Sequence, residues 1–286
     1  MPRRLIDRHP ALCFTGLAYL LSWAIWIPTV RVFLSQPAPT ITVPLLLGAL
    51  VGSYGPTGAA LIVAAVTEGR EGVVALLRRF LRWRPIGLVV LGLTVPIVVF
   101  LLTQAATRTA GAGGGPLAWE RLTLAALLGR VAFALPFGPL AEEAGWRGML
   151  LPTLQARHSA LVSSLLVAVA WTFWHLPMFW VPGAALPPEV APGPTAIGLY
   201  FIGVSATSVI ATALYNSSSG SLVVAVAYHL GTNLWHQVLS PVFVGDPELA
   251  WREQRGLGLI ANWAVALGIV AWLGPANLSR RPRQTR

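Results

Sequence analysis

The chain consists of a series of apolar runs, most of about 20 residues or more, separated by shorter polar stretches. A run of that length is what an α-helix needs to cross the hydrocarbon core of a bilayer. We therefore predict one all-α integral membrane domain over residues 1–286, a polytopic bundle of about eight transmembrane helices. The predicted spans are 11–30, 43–66, 85–107, 124–151, 160–180, 196–215, 221–240 and 256–273.

Composition supports the membrane location. Of the 286 residues, 55% are hydrophobic and only 10% are charged, whereas soluble domains carry about 25% charged residues. All twenty basic residues are arginine, and the formal net charge is +10. Because the arginines are clustered, as in proteins oriented by the positive-inside rule, we attribute the charge to topology and expect the lipid bilayer, not nucleic acid, as a partner.

The arginine clusters also predict the orientation. An even number of spans places both termini on one side, and MPRRLIDR at the start and SRRPRQTR at the end are both basic. The connection after the second span is rich in arginine, whereas residues 34–40 and 181–195 contain no basic residue. We expect a multi-pass protein of the cell membrane with both termini cytoplasmic. Arg252 and Arg255, on the predicted outer loop 241–255, run against this expectation.

Four smaller features complete the predicted layout. The first span is too long for the core of a signal peptide and is expected to be retained. The stretch GVVALLRRFLRW, residues 72–83, favours a short amphipathic helix at the cytoplasmic surface. The glycine-rich residues 111–115 are expected to be a connector, and the single cysteine, Cys13, is expected to be a core side chain.

Three segments place polar groups at apparent membrane depth: AEEAGWRG in the fourth span, AWTFWHLP in the fifth and YHLGTNLWHQ in the seventh. An ionised side chain at the bilayer centre costs about 2.5–3.5 kcal/mol on insertion scales. Charged groups at that depth therefore indicate a functional site.

Helical geometry separates the two glutamates of the fourth span. Glu143 and Arg147 are four residues apart in the favourable order for an ion pair, whereas Glu142 projects about 100° away. We expect Glu142 to be a free carboxylate that serves as a general base. The alternative is a buried network of all three charges that only holds helices together.

The seventh span carries two groups suited to stabilising negative charge. His229 and Asn233 are four residues apart on one face, so both can donate hydrogen bonds to a developing oxyanion. His236 follows on the same stripe but nearer the outer surface, which makes a direct role less favoured.

In the fifth span, Trp171 lies one turn before His175, and Pro177 follows two residues later. The proline is expected to bend the helix and open a water-bearing cavity that Trp171 would wall. At about 1.5 Å per residue, His175 lies roughly 22 Å from the cytoplasmic end of its span, against roughly 12–13 Å for Glu142 and His229. The fifth helix must be tilted, or must begin outside the bilayer, for the three side chains to lie at the same depth.

These motifs resemble those of the CAAX protease and bacteriocin-processing family, also called the CPBP or Abi family of intramembrane proteases, which includes the type II CAAX prenyl endopeptidases. The resemblance covers about residues 120–240. Tryptophan at 171 stands where phenylalanine is the commoner aromatic residue. In chain order the three motifs are Glu142-Glu143-xxx-Arg147, Trp171-xxx-His175 and His229-xxx-Asn233.

The resemblance implies an intramembrane endopeptidase that cleaves a membrane-associated protein or peptide. It implies a pair that activates water and a pair that stabilises the tetrahedral intermediate: Glu142 with His175, and His229 with Asn233. Glu143 and Arg147 would orient the site, and Trp171 would support it by holding the imidazole of His175 in place. We expect the site to open towards the cytoplasmic half of the membrane, and prenylated CAAX-type proteins, peptide pheromones, bacteriocin leaders and membrane anchors all fit as substrates.

The alternatives concern a metal and two other functions. Glu142, His175 and His229 are a His₂Glu set of the kind that binds catalytic Zn²⁺, but the chain has no HExxH, so a mechanism with no cofactor is preferred. A proton-coupled transporter also uses buried Glu, Arg and His, yet the sequence lacks the usual internal repeats. A non-catalytic immunity or scaffold protein would use the polar cluster for stability alone, and the intact motifs argue against it.

Overall fold

A computed structural model describes residues 3–109, 117–186, 190–243 and 247–285, with the side chains of 247–255 left aside. Throughout these ranges the regular structure is helical, which confirms the predicted all-α class of a polytopic membrane protein. Residues 111–115, the expected connector, lie outside the described ranges. The helices are α1 (Arg3–Arg8), α2 (Pro10–Leu34), α3 (Val43–Ser53), α4 (Gly55–Arg78), α5 (Ile86–Thr109), α6 (Leu124–Phe137), α7 (Pro139–Gly145), α8 (Leu151–Gln155), α9 (Ala160–Trp174), α10 (Pro194–Ser217), α11 (Leu222–Phe243) and α12 (Pro247–Leu273).

Six stretches of the described chain are long and apolar enough to cross a membrane. The two predicted spans not among them carry the histidine motifs. Helix α9 has only 15 residues, and α11, although 22 residues long, contains histidine, asparagine and glutamine. The six stretches are Pro10–Leu34, Val43–Leu81, Ile86–Thr109, Leu124–Gln155, Pro194–Ser217 and Gly256–Leu273.

Two boundaries differ from the sequence prediction. The fifth span was predicted as one bent helix over 160–180, but α9 ends at Trp174 and a 3₁₀ turn, Leu176–Trp180, follows. The predicted loop 241–255 is wrong, because α11 continues to Phe243 and residues from Pro247 onwards are already helical. The side chains of Arg252 and Arg255 lie outside the described part.

The predicted amphipathic helix at 72–83 is helical as far as Leu81. Helix α4 turns sharply at Gly69, whose φ of 67° is a left-handed conformation that glycine adopts without steric cost. Beyond this kink the chain runs to Arg78 and ends in a 3₁₀ turn, Arg79–Leu81. Its location at a membrane surface stays a prediction.

Successive long helices run in opposite directions, so the connections between them are gathered at two ends of the bundle. The two ends differ in charge. At the first end, hydrogen bonds join the N-terminus, the connection after α4, the turn after α10 and the C-terminal residues: Arg3 to the Thr67 carbonyl, Arg82 and Arg281 to Ser219, and Arg283 to the Gln155 carbonyl. We call this the arginine-rich end. Its described arginines are Arg3, Arg4, Arg8, Arg70, Arg78, Arg79, Arg82, Arg84, Arg157, Arg280, Arg281 and Arg283.

The opposite end comprises the connections at 35–42, 117–123, and 181–186 with 190–193, together with Phe243. The Ala118 amide donates to the Val242 carbonyl, which ties two of these segments together. We call it the arginine-poor end. The described arginine side chains there are Arg31, Arg108, Arg121 and Arg130.

Close packing of α7 against α4 holds the glutamate motif inside the bundle. A methyl group on Gly145 would come within 2.5 Å of Pro56 Cβ, so only glycine permits this approach. The Thr57 hydroxyl donates a 2.7 Å hydrogen bond to the Ala141 carbonyl and fixes the register of the two helices. Cys13 is buried, as expected of a core side chain.

Candidate active site

The centre of the buried charge is Glu143, whose side chain has no exposed surface. Arg147 Nη1 donates to Glu143 Oε1 at 2.8 Å, and His229 Nδ1 lies 2.7 Å from the same oxygen. The predicted pair of Glu143 and Arg147 is confirmed, and the bond to His229 adds a further helix. Because an ionised carboxylate can only accept, His229 Nδ1 carries a hydrogen and its Nε2 is left for other partners.

The carboxylate of Glu142 is held apart from this ion pair. Its Oε2 accepts hydrogen bonds from the indole Nε1 of Trp146 at 3.0 Å and of Trp171 at 2.5 Å. Glu142 is free of the ion pair, as expected, but two indoles that the sequence analysis did not foresee fix one of its oxygens. Spacing could have suggested Trp146, which lies four residues after Glu142, whereas Trp171 comes from another helix.

The helix is widened just after the two glutamates. Residues Trp146–Leu150 form a π-helical turn between α7 and α8, a distortion that is frequent at functional sites. The guanidinium of Arg147 lies 4.6 Å from the centre of the Trp171 ring. Trp171 thus contacts the glutamate motif twice: its N–H binds Glu142 and its face covers Arg147.

His175 lies just beyond the end of α9. Its Nδ1 is 2.9 Å from the Trp171 carbonyl, and because a carbonyl only accepts, this nitrogen carries the hydrogen. In the neutral ring, Nε2 then has a free lone pair. The imidazole packs against Trp174 and Tyr200, with ring centres 4.7 and 5.5 Å away.

Three polar atoms converge beside Gly138, the residue that separates α6 from α7. A methyl group on Gly138 would lie 3.0 Å from Asn233 Nδ2, 3.2 Å from His229 Nε2 and 3.5 Å from Glu142 Oε1. The first two are hydrogen-bond distances for a small polar group at that point, and the third is slightly longer. The absent side chain thus leaves a space bordered by two potential donors and one carboxylate oxygen.

This space belongs to a cavity of about 660 Å³. The four residues predicted to be catalytic all line it: Glu142, His175, His229 and Asn233. Trp171 and His236 line it as well, whereas Glu143 and Arg147 lie behind the wall. Sequence reasoning missed Gly138, although a glycine directly before Pro139 and four residues before Glu142 signalled a helix break beside the motif.

The zinc alternative requires a set of side chains placed to hold the metal ion. Within the described ranges, no group of three His, Cys, Asp or Glu side chains is placed to hold a metal ion. Hydrolysis with no cofactor remains a prediction.

Comparison with known proteins points to one family. A family model described as Type II CAAX prenyl endopeptidase Rce1-like matches residues 123–235. The resemblance to the CAAX protease family is confirmed. The match covers α6 to most of α11, and with them every motif residue, in agreement with the predicted range of about 120–240.

One curated relative is CAAX prenyl protease 2 of Methanococcus maripaludis, which is 29% identical over 111 residues. That alignment covers 38% of this chain and 41% of the relative. The chain therefore spans about two fifths of the curated relative that it matches. The family match, in turn, falls on the segment that contributes most of the cavity wall.

Proposed function

We propose that the protein is an intramembrane endopeptidase that hydrolyses a peptide bond of a membrane-associated substrate. The observation that carries the proposal is the convergence of Glu142 Oε1, His229 Nε2 and Asn233 Nδ2 around the space at Gly138. A carboxylate facing potential hydrogen-bond donors across a small space is what addition of water to a carbonyl needs. The Rce1-like family match supports the same chemistry.

In the proposed reaction, Glu142 and His175 activate water. The ionised Glu142 takes a proton through Oε1, while the free Nε2 of His175 accepts a second hydrogen bond and orients the oxygen. The hydroxide attacks the carbonyl carbon of the scissile bond and forms a tetrahedral intermediate. Glu142 then returns its proton to the amine, which leaves as the carbon–nitrogen bond breaks.

In the proposed reaction, the oxyanion lies beside Asn233 and His229, across the space from Glu142. Asn233 Nδ2 donates to it, and His229 Nε2 donates when the ring is an imidazolium. The carboxylate of Glu143 binds His229 Nδ1 and so fixes the orientation of the ring. Arg147 binds the same oxygen of Glu143, so both residues act as positioning residues behind the wall.

The orienting role of Trp171 follows from its two contacts. The indole N–H fixes Glu142 Oε2 and leaves Oε1 directed at the cavity. The ring face covers the guanidinium of Arg147 and separates it from the cavity. A cation in contact with Glu142 would weaken it as a base, so this separation favours proton transfer.

The test is cleavage by the purified protein in detergent. A panel of prenylated and unprenylated C-terminal peptides is incubated with the wild type, with Glu142→Gln and with Glu71→Gln, a control at an exposed glutamate of α4. General-base catalysis contributes about 10²–10⁴-fold, so Glu142→Gln should lose at least that much. Cleavage that survives in Glu142→Gln excludes this base. No cleavage of any peptide by the wild type favours the non-catalytic alternative.

A further inference from the structure

The π-helical turn Trp146–Leu150 carries two side chains that hold the glutamate motif. Trp146 donates a hydrogen bond to Glu142 Oε2 at 3.0 Å, and Arg147 donates one to Glu143 Oε1 at 2.8 Å. The direction of both carboxylates therefore depends on the position of this turn.

One carbonyl of the π-helical turn lacks its usual donor. In an α-helix the carbonyl of a residue accepts from the N–H four residues later. Four residues after Gly148 stands Pro152, which has no N–H. All five residues of the turn are buried, so bulk water does not reach the Gly148 carbonyl. Since a buried carbonyl without a partner destabilises the fold, this oxygen needs a donor from elsewhere.

Arg79 supplies that donor. Its Nη1 lies 3.0 Å from the Gly148 carbonyl oxygen and 2.9 Å from the Tyr215 hydroxyl oxygen. This nitrogen carries two hydrogens, so it can donate to both acceptors at once. Tyr215 is fully buried in α10 and anchors the guanidinium. Arg79 thus joins three elements: the 3₁₀ turn after α4, the π-helical turn and α10.

Packing holds the same backbone from a second side. A methyl group on Gly148 would come within 2.6 Å of Leu76 Cδ1 and 3.5 Å of Leu222 Cδ1. Leu76 is buried and lies three residues before Arg79. The π-helical turn therefore packs tightly against the end of α4, and the hydrogen bond from Arg79 fixes it there.

We infer that Arg79 is a positioning residue of the site: it fixes the π-helical turn and thereby keeps Trp146 and Arg147 where they direct the two glutamates. This inference rests on the proposed function. Arg79 is not among the residues that line the cavity, so it acts through the turn and not on the substrate. It also lies outside the range 123–235 that the family model matches.

Cleavage kinetics of the purified protein in detergent test the inference. Arg79→Ala removes the donor, whereas Arg78→Ala removes the same charge at the adjacent, exposed position. A misplacement of about 1 Å can cost about 10²-fold in rate. We expect Arg79→Ala to lower kcat by at least about tenfold and to change KM by less than about twofold. Arg78→Ala should keep the wild-type kcat. Each rate is expressed per folded molecule, with the folded fraction taken from thermal unfolding.

A double-mutant cycle separates positioning from general support of the fold. Trp146→Phe removes the indole donor to Glu142 and keeps an aromatic ring. Because Arg79 acts through the turn that carries Trp146, Arg79→Ala combined with Trp146→Phe should lose much less than the product of the two single losses. A combined loss equal to that product would show that Arg79 acts by a separate route and would overturn the inference.

Tyr215→Phe provides a second test should Arg79→Ala not fold. It removes only the hydroxyl that anchors the guanidinium, so kcat should fall several-fold, and an unchanged kcat overturns the inference. Cleavage by the wild type together with an unchanged kcat in Arg79→Ala refutes the positioning role alone. No cleavage of any peptide by the wild type refutes the proposed function, and the inference with it.

Discussion

Replacement of Gly138 by alanine is the sharpest perturbation of the proposed site, because it adds a single methyl group at the point where the polar atoms meet. That methyl group would lie 3.0 Å from Asn233 Nδ2 and 3.2 Å from His229 Nε2. It would occupy the space of one small polar group and shield both donors from an oxyanion. Loss of one oxyanion donor costs about 10²–10³-fold in kcat, so we expect Gly138→Ala to cleave at least about 10²-fold more slowly.

A matched control separates the effect of filling this space from the effect of adding a methyl group nearby. Gly138 has a φ of −137° and a ψ of −76°. A methyl group on Gly129, in the preceding helix α6, would meet no heavy atom within 4 Å, so Gly129→Ala is the matched control. Cleavage rates of both variants are compared with the wild type, and thermal unfolding in detergent reports whether each still folds.

Two outcomes would refute the assignment of this space. Gly138→Ala with a cleavage rate close to that of the wild type would show that the reacting oxygen does not pass beside Gly138. Should Gly138→Ala unfold at a lower temperature, Asn233→Ala provides the second test, because it removes the donor without filling the space. Unchanged cleavage in that variant would again contradict the oxyanion role.

The remaining predictions concern the groups around Glu142 and the expectation that cleavage needs no metal ion. Glu143→Gln removes the negative charge that holds His229 and leaves Arg147 buried with a neutral partner. We expect it to destabilise the fold by about 3–5 kcal/mol and to slow cleavage, as measured by thermal unfolding and peptide assay. Trp171→Phe removes one donor to Glu142 but keeps a ring over Arg147, so cleavage should fall by about tenfold, and an unchanged rate would contradict the orienting role. A strong chelator should leave cleavage unaltered, with elemental analysis of the purified protein as the accompanying measurement.

Local spacing in the sequence was enough for the interactions within one helix. The pair of Glu143 and Arg147 forms at four residues' distance, as α-helical geometry requires. The contacts that complete the site are of another kind. Glu143 meets His229 from 86 residues away, and Glu142 meets Trp171 from 29 residues away. Spacing carries no information on such contacts, and only the resemblance to a family indicated that the motifs belong together.

The boundaries of the site helices show a second limit. Apolar length predicted the spans well where the helices are uniformly apolar, as in α2 or α5. It failed at α9, where His175 and Pro177 end the helix and begin a 3₁₀ turn. The polar groups that make a site also interrupt the apolar pattern from which spans are predicted.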